Sequence, residues 1–139
     1  MLRWKLQMVL LGAVCALGGC ADNGPAIGYV AGEITLDGEP LENAMVLYSP
    51  ITPGRPSMAV TNSDGKYALT FSGTRKGATV GDHTVSITTA QDANYDDFGN
   101  VTNAAVKERV PKNYNTDTQQ RVSVTAGDNQ IDFHISSEK

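Results

Sequence analysis

The chain has 139 residues, enough for one domain, with 40% apolar residues and a formal net charge of −4. The acidic balance excludes a nucleic-acid binder, which needs a basic patch to neutralise phosphates. Two cysteines, Cys15 and Cys20, are too few for a disulfide framework.

Residues 1–19 read as a targeting segment. Arg3 and Lys5 precede an apolar run from Leu6 to Leu17, broken only by Gln7 and Gly12, and the small residues Gly18 and Gly19 follow. The run is shorter than the about 20 apolar residues that a spanning helix needs. Leu17-Gly18-Gly19-Cys20 resembles the lipobox of bacterial lipoproteins. That resemblance implies cleavage before Cys20 and acylation of its sulfur, with palmitate as a typical chain. Trp4 and Cys15 leave with the signal, so Cys20 becomes the sole cysteine and the exported domain must rely on its own core. Without Arg3 and Lys5 the mature chain carries nine basic against fifteen acidic residues, a net charge of −6. This argues against adhesion to anionic lipid through charge; lipid on Cys20 does that work, and two or more acyl chains suffice. The expected location is the bacterial cell envelope, on a membrane and facing either the periplasm or the surface.

Residues 20–26 are small, polar and turn-rich, and read as a lipidated tether. Residues 27–139 read as one all-β domain, because short alternating runs recur between Gly, Asn, Asp, Ser, Thr and Pro. The first strand is expected over Ile27 to Leu36, with Val30, Ile34 and Leu36 on one face. Asp37-Gly38 signals a tight turn. A second strand runs from Ala44 to Ser49, before a loop from Ile51 to Pro56. Met58 to Asn62 and Lys66 to Phe71 are the clearest predicted hairpin, joined by Ser63-Asp64-Gly65, with Tyr67, Leu69 and Phe71 facing the core. After a turn from Gly73 to Gly81, His83 to Thr89 alternates through Val85 and Ile87. Arg121 to Thr125 and Gln130 to Ser136 form the last pair, joined by 126–129. The total is about seven strands, as in a sandwich of this size.

The connection from Ala90 to Thr118 breaks the pattern. It carries Asp92, Asn94, Tyr95, Asp96, Asp97, Phe98 and Asn100, then a mildly helical patch from Ala104 to Glu108, then Val110-Pro111-Lys112-Asn113-Tyr114. Connections this long are functional or disordered. Tyr95, Phe98 and Tyr114 either pin it onto the sandwich, the simpler expectation, or stay exposed to stack on sugars or grip a protein.

Val30 to Thr89 resembles a carboxypeptidase regulatory-like domain, a transthyretin-like and Ig-like β-sandwich. The resemblance rests on 32–44 (Gly-Glu-Ile-Thr-Leu-Asp-Gly-Glu-Pro-Leu-Glu-Asn-Ala), 60–69 (Val-Thr-Asn-Ser-Asp-Gly-Lys-Tyr-Ala-Leu) and 81–87 (Gly-Asp-His-Thr-Val-Ser-Ile). With Lys76-Gly77-Ala78 and 110–114, the layout is similar to small bacterial lipoproteins of that class. These motifs are turns and core positions, specific for architecture and weak for function.

No catalytic constellation stands out. His83 and His134 are expected to be surface strand residues without a third zinc ligand. No Gly-x-Ser-x-Gly is present, and no free thiol remains after lipidation. The acidic loop has alternating oxygen ligands for Ca²⁺ but lacks the EF-hand glycine and glutamate, so no metal or cofactor is assigned. The expectation is a non-catalytic envelope module, attached to the membrane through Cys20. It binds a protein or glycan partner through Tyr95, Asp96, Asp97, Phe98 and Tyr114. A purely structural, high-copy envelope lipoprotein is the alternative, and a metal-dependent enzyme a remote one.

Overall fold

A computed structural model describes residues 24–137. The signal segment, Cys20 and the first part of the tether lie outside the described residues. Strand β1 (Ile27–Leu36) forms where the alternation is longest, and every second residue from Gly28 to Leu36 is buried. Asp37 (φ 53°) and Gly38 (φ 85°) make a tight two-residue turn into β2 (Glu39–Pro40), which pairs back onto β1. The next strands are β3 (Met45–Pro50), β4 (Ser57–Val60), β5 (Lys66–Ala68), β6 (Thr70–Ser72), β7 (Arg75–Lys76), β8 (Ala78–Thr79) and β9 (Gly81–Thr88). Beyond β9 come β10 (Asn94–Tyr95), β11 (Val101–Asn103), a 3-10 turn (Lys112–Tyr114), β12 (Arg121–Val124), β13 (Gly127–Gln130) and β14 (Phe133–Ile135).

Two sheets share one core, an all-β arrangement consistent with a β-sandwich. In the first, β1 is central. β13 and β14 run parallel along one side of it, and β8, β5 and β2 run antiparallel along the other. The second sheet has the order β12-β9-β3-β4-β6-β7 and is antiparallel throughout. Between them lie Val30 and Ile34 of β1, Val46 and Tyr48 of β3, Val85 and Ile87 of β9, and Phe133 and Ile135 of β14. Each such side chain contributes about 1.5–3 kcal/mol when fully buried. Tyr67 Oη donates to Ile131 O (2.6 Å), so Tyr48 Oη donates to Tyr67 Oη (2.9 Å) and joins the two sheets through the core. Burial pushes the Tyr48 phenol up to about 12 and Tyr67 also upward, so both stay neutral.

The expected strand positions hold better than their partners. The predicted 58–71 hairpin is divided between the sheets: β5 pairs with β1, while β6 meets β4 through Met58 and Thr70. The chain changes sheet at Leu69, whose N–H donates to Val30 O and whose carbonyl accepts from Gly77. Tyr67, Leu69 and Phe71 are all buried as expected. The predicted terminal hairpin does not form. β12 pairs with β9, and the chain crosses after Val124 to run parallel to β1. That crossing needs Gly32, since a Cβ there would lie 1.8 Å from Ile131 O. Because strands break where they change sheet, the chain makes fourteen short strands among the described residues instead of about seven long ones.

Candidate functional site

The long connection is an ordered hairpin of its own. It leaves the end of β9, and its stem closes where Gln91 and Val106 exchange backbone hydrogen bonds (3.0 and 2.9 Å). β10 and β11 then pair Asn94 with Asn103 and Tyr95 with Val101, across a bulge. The patch from Ala104 to Glu108, read as mildly helical, forms no helix. Its Val106 belongs to the stem, and backbone pairing there outweighs a weak helix preference.

Glu108 fastens this stem to the sandwich. Its carboxylate accepts from Thr88 Oγ1 and from Thr89 N and Oγ1 (both 2.9 Å) at the end of β9, and from Val110 N (3.0 Å) two residues on in its own segment. Partial burial works to raise its pKa, but these hydrogen bonds outweigh it and hold the carboxyl at about 2. No sequence signal marks Glu108. Its partners Thr88 and Thr89 are distant in the chain and ordinary in composition.

Asp96 shapes the tip. Its Oδ1 accepts from Phe98 N (2.9 Å) and Asn100 N (2.8 Å), and its Oδ2 from Asn100 Nδ2 (3.0 Å). The hydrogen bonds from Asn100, side chain first, hold its carboxyl below the ordinary aspartate value. Both carboxylate oxygens of Asp96 thus serve the turn. Among the described residues, no cluster of three or more His, Cys, Asp or Glu is placed to hold a metal.

The aromatic side chains do not pin the hairpin down. Phe98 is 90% exposed and Tyr95 63%, and Val101 is exposed beside them. A turn locked by its own Asp96 needs no aromatic clamp. Asp97 is exposed next to Phe98. Tyr114 has a different setting: it is partly buried against the shared core. With Lys112, Asn113, His134, Ser136 and Ser137 it lines a separate cleft of about 490 Å³. The five candidate residues therefore divide into a tip group of four and Tyr114 at the cleft.

Of the two histidines, His134 is exposed, and its Nδ1 lies 3.0 Å from Thr35 Oγ1. His83 corrects the expectation of a surface residue, being only 1% exposed. It sits at the inward parity of β9, with its ring centroid 5.8 Å from that of Tyr48. Gly81 O (3.1 Å) can only accept, so Nδ1 carries the proton and Nε2 accepts from Thr79 Oγ1 (3.2 Å). Burial pushes its pKa down, and the ring is a neutral core group.

No protein-family model matches the chain, and no curated protein matches it. No helix among the described residues is long and apolar enough to cross a membrane.

Proposed function

We propose that this chain is a lipid-anchored, non-catalytic module of the bacterial cell envelope that binds a protein or glycan partner through the tip of its 91–106 hairpin. We place its fold with the transthyretin-like, Ig-like sandwiches of the carboxypeptidase regulatory-like class. The sequence motifs at 32–44, 60–69 and 81–87 support that placement. Lipidation at Cys20 rests on the 17–20 lipobox-like motif at the end of an apolar run.

One observation carries the binding reading: Phe98 stands 90% exposed on a turn that Asp96 holds rigid. A large exposed aromatic costs solubility and contributes nothing to this core. On a preorganised turn it gives up little entropy when a partner covers it. Tyr95 and Val101 widen the apolar surface, and Asp97 adds a polar rim, the composition of a small interface centre.

Deleting residues 92–100 tests the reading. The hairpin tip adds nothing to the shared core, so the deletion is expected to leave the thermal midpoint of the mature domain within a few degrees and to abolish cross-linking to the partner in intact cells. Unchanged folding with unchanged cross-linking would contradict it. The Y95A/F98A variant repeats the test without shortening the chain.

A further inference from the structure

The two ends of the sandwich differ in chemistry. β9 starts at Gly81, beside the N-terminal segment, where Val80 N donates to Ala26 O (2.9 Å). Pro25 and Ala26 line a shallow cleft with Pro53, Arg55, Thr79 and Val80. Arg75 Nη2 donates to Pro25 O, and Ile51 N to Asp82 O, so the 51–56 loop, Arg75 and the chain entry gather at one rim. Arg121 lies beside Ile51 and Asp82 on the same rim. Ile51 is 50% exposed, and Val80, Pro53, Arg55 and Arg121 are exposed with it. The hairpin is rooted at the other end of β9, roughly 25 Å away at about 3.3 Å per residue. That far end holds Asp37, Glu39, Glu42, Asp92, Asp96 and Asp97, with Lys107 and Arg109 at the hairpin stem among them. At the rim, among the described residues, Arg55, Arg75 and Arg121 stand beside Asp82 and Asp128, and Asp82 already accepts from Ser123 Oγ.

We propose that this rim, centred on Ile51, Val80, Arg55 and Arg121, rests on an anionic lipid surface, so that the acidic, aromatic hairpin is displayed away from the membrane. The inference rests on lipidation at Cys20. Only four residue steps separate Cys20 from Gly24, a reach of at most about 14 Å. A lipid at Cys20 thus keeps the rim within touching distance of headgroups, where weak contacts act at high effective concentration. The arginines meet anionic headgroups, and Ile51 and Val80 meet the headgroup–acyl boundary. Net charge alone argues against such contact, but the charge is segregated: the acidic excess sits at the far end.

The test uses full-length protein produced in bacteria, purified from their membranes and reconstituted in vesicles with and without phosphatidylglycerol. Mass spectrometry first establishes whether Cys20 is acylated; an unacylated chain would remove the underlying reading and leave docking to be judged by vesicle flotation of the same protein. An environment-sensitive thiol label is placed in I51C and in F98C, with spin-labelled lipid as quencher. The expected result is strong quenching at position 51, little at position 98, and a several-fold loss at 51 in R55E/R121E or in vesicles lacking phosphatidylglycerol. Quenching at 98 above 51, or at neither, overturns the orientation. Quenching at 51 that ignores headgroup charge overturns the anionic contact, as does absence of flotation for an unacylated chain.

Discussion

Glu108 ties the hairpin stem to β9 through a single carboxylate, which makes the stem sensitive to acid. Its folded pKa of about 2 lies below the ordinary 4.5. The stabilisation is therefore fully present above pH 4.5 and is lost as the pH falls towards 2. For so exposed a carboxylate, screening reduces the contribution to ~1–2 kcal/mol. Urea melts at pH 7 and pH 3 check this, and E108Q should reduce the difference by the Glu108 contribution. His83 acts in the same direction at higher pH. It is held neutral, so stability falls as the pH drops below the unfolded value near 6.5. Ser57 is 1% exposed, and its Oγ has no hydrogen-bond partner among the described residues. Ser57→Ala removes a desolvated hydroxyl and is expected to raise stability by up to about 1 kcal/mol in urea unfolding. Leu69 and Phe71 differ although the alternation treats them alike. Leu69 is fully buried in the shared core, whereas Phe71 lies outside that cluster, with the Arg75 guanidinium 5.3 Å above its ring. Leu69→Ala should cost about 3–4 kcal/mol and Phe71→Ala about 2, because Arg75 and water can refill a peripheral space. Equal losses would mean that Phe71 belongs to the core.

At the scale of strands and turns, period-two patterning made β1, β3 and β9 legible almost to the residue, because each buries one face. Asp37-Gly38 was legible because its conformation suits few other pairs. Pairing was not legible. Nothing local in 66–72 tells that Tyr67 belongs to one sheet and Phe71 to the other, and nothing in 121–136 tells that the chain crosses instead of turning back. Both are decided by contacts between distant segments. The candidate surface was half legible. The residues of the tip are plain in the sequence, but their exposure depends on Asp96 and Glu108, whose roles appear only through their hydrogen-bond partners. Asp96→Ala should loosen the tip without unfolding the domain: amide exchange at Phe98 and Asn100 should speed up while exchange in β9 stays unchanged. A global rise in exchange would show that the tip is integral to the fold.

At the scale of the whole molecule, the two proposed contacts lie at opposite ends of the sandwich. Its N-terminal rim is basic and apolar, its far end acidic and aromatic, and β1 and β9 span the distance between them. A tether of a few residues would hold the first end at a membrane and leave the second free for a partner. The most direct test of that display is a photo-cross-linking amino acid placed at Phe98 in living cells, with Thr70 on the second sheet as the control position. The account predicts a discrete adduct with one envelope protein or glycan at position 98, absent at position 70 and lost when Tyr95 is changed to Ala. The same pattern of products at both positions, or none at 98 while the protein is folded and abundant, would contradict it.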